Sequence, residues 1–133
     1  IVAGAYDRSR KAFIGPGAGQ NRMDAGRVAG EAGMNTTVAV VATDASLDKE
    51  GANKVAQMAQ NGLARAIIPA HTMYDGDTVF CLSTAEKPLS GDRARDITAI
   101  GSLAAEALAA AVVRAVKVAS SVPGCPAVGD MKG

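Results

Sequence analysis

Aromatic side chains are scarce in this sequence: they make up 3% of its 133 residues, and tryptophan is absent. Proteins that bind single-stranded nucleic acid stack the bases on aromatic side chains, so that class of function is not expected here. The formal net charge is only +1, with acidic and basic residues interspersed. Neither a nucleic acid nor an anionic membrane surface is therefore expected as a partner.

Metal-ligating side chains are equally few. The sequence contains two cysteines, Cys81 and Cys125, a single histidine, His71, and no Cys-x-x-Cys pair. Zinc ligation and a disulfide framework are therefore not expected, and we predict neither a metal nor another cofactor. Cys81 lies in an apolar run and is interpreted as a small core residue. This use of cysteine is typical of a cytoplasmic protein.

Long apolar runs are limited to one stretch, Ile97 to Val113, which Glu106 interrupts. The stretch is short and alanine-rich for a membrane span, so we interpret it as part of a buried helix that other protein covers on more than one side. No signal peptide is recognisable. The sequence starts with Ile1 and not with Met, and we expect an upstream piece to be missing.

The central part of the sequence alternates between strand and helix patterns, which predicts an α/β layered unit. A β-branched apolar run predicts a strand buried on both faces. Apolar residues at helical spacing predict the core face of a helix, and these residues are Ala52, Val55, Ala56, Ala59, Leu63 and Ala66. The predicted elements are a strand over 36–43, a helix capped by Ser46 or Asp48 and ending near Ala66, a strand over 78–84, a loop over 86–91, and a helix from Asp92 or Asp96 to about Ala119.

The N-terminal part has a different composition. Residues 1–14 predict either a hairpin or the end of a strand. The glycine-rich stretch 15–33 predicts a mobile linker, because glycine loses much backbone entropy on ordering. Two strands do not make a stable sheet alone. Either the N-terminal runs join the sheet, or protein outside this chain completes it.

The first candidate for chemistry is Asn35-Thr36-Thr37, where the linker meets the buried strand. A hydroxyl at Thr36 can attack the carbonyl before it, and hydrolysis of the resulting ester would free Thr36 as an N terminus. An α-amine has an ordinary pKa of about 7.7, so it could then act as the base for the hydroxyl on the same residue. The alternative is an ordinary turn that precedes a strand.

Asp75-Gly76-Asp77 is the second candidate. Residues two apart on an extended backbone point to one side, so both carboxylates could converge on one site. Their mutual repulsion would then let one of them accept and release a proton. An Asp-Gly hairpin turn is the alternative, and calcium binding is disfavoured because the other loop ligands are absent. His71 is either a structural hydrogen-bonding residue or a group that contacts substrate or handles protons.

Taken together, these motifs match a known pattern. The run from Asn35 to Thr84, with NTTVAVVATDA, GLARAI and PAHTMYDGDTVFCLST, resembles the β subunit of the L-aminopeptidase/D-esterase (DmpA-like) family, and the linker before it resembles the end of the α subunit. That family of self-processing N-terminal nucleophile hydrolases includes β-peptidyl aminopeptidases and 6-aminohexanoate-oligomer (nylon oligomer) hydrolases. Asn35 and Thr36 place this sequence in the branch that contains the latter enzymes.

The resemblance implies an αββα sandwich, made as one precursor and cut between Asn35 and Thr36. Residues 1–35 would then be the end of the α subunit, and residues 36–133 the β subunit. It also implies that Thr36 is the nucleophile and that Asp75 and Asp77 position its ammonium group. The oxyanion-stabilising asparagine and the catalytic lysine of the family lie upstream of any residue here. Thr37, like His71, is a further candidate for a substrate-contacting or structural role.

The predicted function is hydrolysis of amide bonds through an acyl-enzyme on Thr36, in a homo-oligomer that includes the α subunit of the same precursor. Three kinds of peptide-like substrate fit this pattern: β-peptides, D-amino-acid amides and 6-aminohexanoate oligomers. Two alternatives stay open, an acyl transfer of the ornithine acetyltransferase kind and a non-catalytic α/β assembly module.

Overall fold

A computed structural model of the chain describes residues 6–7, 12–13, 36–124 and 126–130. The predicted linker over 15–33, Asn35 of the predicted cleavage site, and Cys125 lie outside the described residues. The described elements are β1 (Tyr6–Asp7), β2 (Ala12–Phe13), β3 (Val38–Ala45), α1 (Lys49–Ala66), β4 (Thr78–Lys87), α2 (Arg93–Val118) and a 3₁₀ turn (Val128–Asp130). The α/β order that the sequence predicts is confirmed.

The described strands form two separate sheets. β1 and β2 pair antiparallel, with Tyr6 opposite Phe13, as the predicted hairpin requires. β3 and β4 pair in parallel, with Val38 opposite Thr78, and α1 forms the crossover that a parallel pair needs. The alternative in which the N-terminal runs join the main sheet is therefore wrong for the strands described here.

β4 runs beyond its predicted end at Thr84, into the stretch predicted as a loop. After an irregularity in the register, Ala45 pairs with Lys87, and the Ser46 N–H donates to the Lys87 carbonyl at 2.7 Å. The Lys87 ammonium lies 2.6 Å from the Asp44 carboxylate, and this hydrogen bond lowers the pKa of Asp44. These partners belong to the neighbouring strand, so the local sequence of β4 does not predict the extension.

Both helices start at an aspartate cap, which decides between the predicted alternatives. The Asp48 carboxylate accepts from the Gly51 N–H at 2.7 Å, and Asp92 accepts from the Arg95 N–H at 3.1 Å. Arg93, in the first turn of α2, donates two hydrogen bonds of 2.7 and 2.8 Å to Asp48. This bidentate pair ties the first turns of the two helices together.

The core lies between the two helices and one face of the β3–β4 sheet. Side chains alternate along each strand, so Val79 and Cys81 face the helices while Phe80 and Leu82 face away. Cys81 packs against the core, as interpreted from the sequence, and burial raises the pKa of its thiol. The predicted core face of α1 is confirmed at Val55, Ala59 and Leu63, which are buried, while the three other alanines of that face are half-buried. The buried core residues are Val55, Ala59, Leu63, Val79, Ala104 and Leu108.

Within the described residues, α2 is covered mainly on the face that packs against α1. Its buried residues form one face, which packs against α1, but Leu103 is 64% and Val118 is 67% exposed. That other protein covers α2 on more than one side stays a prediction. α2 is long enough, and with a mean hydropathy of 1.7 apolar enough, to cross a membrane. The core helix of a soluble protein meets the same two criteria, so one such helix is weak evidence for a membrane span.

The two helices approach each other closely at Gly62. A Cβ there would clash with the Ala105 carbonyl oxygen and lie 3.0 Å from the Leu108 Cβ. We predict that Gly62→Ala forces the helices apart and lowers the free energy of unfolding by about 1–3 kcal/mol, despite the better helix propensity of alanine. Urea unfolding of the full-length protein measures the change. Gly129→Ala is the matched control, because a Cβ there meets no atom within 4 Å, and equal effects at both positions would contradict the prediction.

Candidate active site

The candidate site lies where the two parallel strands begin. Because Val38 pairs with Thr78, the residues just before β3 lie beside the residues just before β4. The Thr78 N–H donates to the Thr37 carbonyl at 2.8 Å and extends this pairing to the site. Residues 36–37 and 75–77, which are about 40 apart in the sequence, therefore meet at one end of the sheet.

Thr36, the predicted nucleophile, is exposed and lies against Gly76. A Cβ on Gly76 would be 2.7 Å from the Thr36 Oγ1, closer than real Cβ atoms come to a neighbour. The absence of a Cβ on Gly76 therefore leaves the space that the Thr36 side chain occupies. A side chain at this position would push the Thr36 hydroxyl away.

Asp77 links the two segments. Its Oδ1 accepts a hydrogen bond from the Thr37 N–H at 2.8 Å. The side chain is only 8% exposed, and its second oxygen, Oδ2, lies 3.9 Å from Nδ1 of His71. A carboxylate that accepts from a backbone N–H makes a stronger bond than a neutral acceptor does. Asp77 therefore anchors the peptide unit that follows Thr36.

Asp75 is used differently from Asp77. Its Oδ2 accepts from the Thr72 N–H at 2.7 Å, and its own N–H donates to the Thr72 carbonyl at 3.2 Å. These bonds close a turn within the loop. Of the two carboxylates, therefore, it is Asp77 that bonds to residues 36–37 in the described part of the chain. That Asp75 helps to position the ammonium group of Thr36 stays a prediction.

The Asp-Gly hairpin turn, considered as an alternative from the sequence, is wrong. β4 begins at Thr78, directly after this dipeptide, and pairs in parallel with β3. Asp75-Gly76-Asp77 therefore leads into the sheet and does not join two antiparallel strands. The chain arrives at this point from His71, whose φ of 58° lies in the left-handed region.

Two threonines that sequence reasoning misses hold the loop together. The Thr72 hydroxyl accepts from the Tyr74 N–H at 3.3 Å, and the Thr78 hydroxyl donates to the Gly76 carbonyl at 3.2 Å. The Thr-x-x-Asp spacing over 72–75 is the signal that could have found the first of them, since both residue types bond their own backbone in turns. Within the described ranges, no group of three or more His, Cys, Asp or Glu side chains is placed to hold a metal ion.

Sequence comparison with protein families covers nearly the whole chain. The model of Peptidase family S58 matches residues 5–128, which include both segments of the candidate site. The chain belongs to peptidase family S58. This membership confirms the resemblance to the L-aminopeptidase/D-esterase (DmpA-like) enzymes that the run from Asn35 to Thr84 indicates.

Relatives of this S58 chain have names that specify amide hydrolysis. An uncharacterized aminopeptidase of Mycobacterium leprae is 47% identical over 102 residues, which cover 70% of this chain and 28% of that protein. One of Mycobacterium tuberculosis is 44% identical over 107 residues, or 74% of this chain and 31% of that protein. A 6-aminohexanoate-oligomer endohydrolase of a Kocuria species is 33% identical over 90 residues, or 62% and 25%. This chain thus spans less than a third of the length of each of these relatives.

The two aspartates provide a matched pair for testing the geometry. We predict that Asp77→Ala speeds hydrogen exchange at the Thr37 amide by about 10-fold or more, because that N–H loses a charged acceptor. Asp75→Ala should instead speed exchange at the Thr72 amide and leave Thr37 unchanged. Exchange measured by NMR or mass spectrometry on the full-length protein gives both rates. Slow exchange at Thr37 in the Asp77 variant would contradict the assigned hydrogen bond.

Proposed function

We propose that this S58 chain is the nucleophile-bearing part of an amide hydrolase that cuts its own Asn35–Thr36 bond. The observation that carries the proposal is the position of Thr36, whose hydroxyl lies against Gly76 at the start of a strand that Asp77 anchors. Cleavage would make Thr36 an N terminus, so that one residue would carry both the hydroxyl nucleophile and an amine base.

In the cleavage step, the Thr36 Oγ1 attacks the Asn35 carbonyl carbon, and the bond from that carbon to the Thr36 nitrogen breaks. The acyl group thereby moves from nitrogen to oxygen, and the nitrogen takes up the hydroxyl proton. Water then hydrolyses the ester, which leaves a carboxylate on Asn35 and restores the hydroxyl. The bond from the Thr37 N–H to Asp77 supports this step, because it holds one side of Thr36 in place while the other side reacts.

In turnover, the free α-amine of Thr36 takes the proton of its own hydroxyl as the oxygen attacks the substrate carbonyl carbon. The leaving amine receives that proton when the amide bond breaks, and an ester forms on Thr36. Water hydrolyses this acyl-enzyme and releases the carboxylic acid. The proposed role of the carboxylates of Asp77 and Asp75 is to orient the amine and to stabilise its ammonium form.

The rest of the precursor is part of this proposal. Donors that stabilise the oxyanion supply a large share of the rate enhancement in acyl transfer, and we propose that the α subunit provides them together with a lysine. The proposed substrates are short peptides or peptide-like oligomers. Relatives named aminopeptidase and 6-aminohexanoate-oligomer endohydrolase support this class. A homo-oligomer and a cytoplasmic location stay predictions.

We also propose that a second sheet, formed by the rest of the same precursor, covers the outer face of the β3–β4 sheet. Both helices pack on the inner face, whereas the outer face presents apolar side chains that are more than half exposed. A sheet with two apolar faces is stable when both are covered, and sheets stack about 10 Å apart. The outer residues are Val38 (67%), Val40 (64%), Phe80 (55%) and Leu82 (55%). This arrangement would give the αββα sandwich that the resemblance implies.

The sheet face can be tested with two valines of equal exposure. In the full-length protein, we predict that Val40→Lys lowers the free energy of unfolding by about 2 kcal/mol or more, because it would bury an unpaired ammonium group. Val118→Lys, at the end of α2, is the control, since Val118 is 67% exposed against 64% for Val40. Urea unfolding compares the two variants. If they lose the same stability, the outer face of the sheet is not covered.

The main experiment tests Thr36 directly. We predict that Thr36→Ala abolishes both the cleavage before residue 36 and amide hydrolysis, whereas Thr36→Ser keeps both in part, because serine also has a hydroxyl and an amine. Mass spectrometry of the purified protein detects the cut. A panel of β-peptides, D-amino-acid amides and 6-aminohexanoate oligomers detects turnover. Thr98→Ala is the matched control, since the Thr98 hydroxyl donates only to the Ala94 carbonyl of its own helix.

A second variant tests the position of the hydroxyl and not its presence. Gly76→Ala would place a methyl group 2.7 Å from the Thr36 Oγ1. Misplacement by about 1 Å costs up to about 100-fold in rate, so cleavage should slow by at least about 10-fold. A wild-type protein that stays intact on long incubation and still hydrolyses amides would overturn the proposed function.

A further inference from the structure

His71 holds an unusual backbone conformation next to the candidate site. Its φ of 58° lies in the left-handed region, which few residues other than glycine adopt. A left-handed non-glycine residue is strained and persists where the surrounding structure holds it, often at functional sites. In this loop the conformation places the imidazole beside the Asp77 carboxylate.

The two oxygens of Asp77 have different partners. Oδ1 accepts from the Thr37 N–H at 2.8 Å, and Oδ2 lies 3.9 Å from Nδ1 of His71. This second distance is about 1 Å longer than a hydrogen bond, and a small rotation of the imidazole would close it. The imidazole has the freedom to rotate, because His71 is 41% exposed while Asp77 is 8% exposed.

No described lysine or arginine competes with His71 for this carboxylate. Among the described residues, the ion pairs of lysine and arginine join Lys87 to Asp44 and Arg93 to Asp48 and Glu50, and none of them includes Asp77. Asp75, in the same loop, is bonded to the Thr72 N–H. The other charge near the site would be the α-amine of Thr36 after cleavage, at the start of β3.

We propose that His71 is a positioning residue for the hydrolase reaction. Its Nδ1–H donates to Oδ2 of Asp77 and fixes the carboxylate, so that Oδ1 keeps the Thr37 N–H and thereby the orientation of Thr36. His71 touches neither the nucleophile nor the substrate in this role and acts through Asp77 alone. The inference rests on the proposed function and extends it to a residue outside the nucleophile and the aspartate pair.

An isosteric pair of substitutions separates this role from a purely structural one. Asparagine and aspartate both tolerate positive φ and have the same shape, but His71→Asn keeps an N–H donor near the place of Nδ1, whereas His71→Asp puts a repelling carboxylate there. Met73→Ala is the matched control, since Met73 is in the same loop and 97% exposed. All variants are made in the full-length protein, with melting temperatures recorded.

We expect His71→Asp to lower kcat and the rate of self-cleavage by about 10- to 100-fold with KM changed by less than about 3-fold. His71→Asn should stay within about 3-fold of wild type, and Met73→Ala should equal wild type. If the aspartate variant does not fold, His71→Gly, which also tolerates positive φ, takes its place with the same expected loss.

Three results would overturn the inference. Wild-type rates in both the asparagine and the aspartate variant would show that the donor to Asp77 is irrelevant. An equal loss in both would show that the imidazole acts in some other way, as would a change confined to KM. In each of these cases the wild type cleaves and hydrolyses, so the proposed function stands. A wild type without cleavage and turnover would remove the proposed function and this inference together.

Discussion

The parallel register of β3 and β4 is the constraint on which the candidate site depends. Val38 opposite Thr78 puts the first residues of the two strands side by side, and the bond from the Thr78 N–H to the Thr37 carbonyl continues the ladder to the site. A shift of one residue would turn every side chain of a strand to the other face. The register therefore sets at once which residues face the core and which residue of the second segment meets Thr36.

Asp77 makes use of this register. Its carboxylate reaches across to the Thr37 N–H, and its low exposure keeps that bond away from competing water. Gly76 removes the one Cβ that would occupy the space of the Thr36 hydroxyl. The same three-residue run thus supplies an anchor for the strand and room for the hydroxyl of Thr36, the proposed nucleophile.

The two helices are stabilised by caps that follow from the local sequence and by one long-range ion pair, between Arg93 and Asp48. The caps at Asp48 and Asp92 follow from residue type at the helix start, and they were predictable as alternatives. The choice between Asp48 and Ser46 is settled by the tertiary structure, because Arg93 of α2 binds Asp48 through two hydrogen bonds. The tertiary structure also decides where β4 ends. Lys87 continues the strand because Ala45 and Asp44 of β3 lie opposite it.

Periodicity and residue type in the sequence were enough to predict the presence of β3, β4 and the two helices, and most of the core face of α1, while the motifs between Asn35 and Thr84 indicated the family by resemblance. These features depend on neighbours a few residues away, which the sequence displays directly. Only the tertiary structure decided that Asp75 bonds a backbone N–H of its own loop whereas Asp77 bonds one of the neighbouring segment. Whether a carboxylate bonds its own loop or another strand depends on which backbone N–H lies within about 3 Å, and only the folded chain brings Thr37 to Asp77.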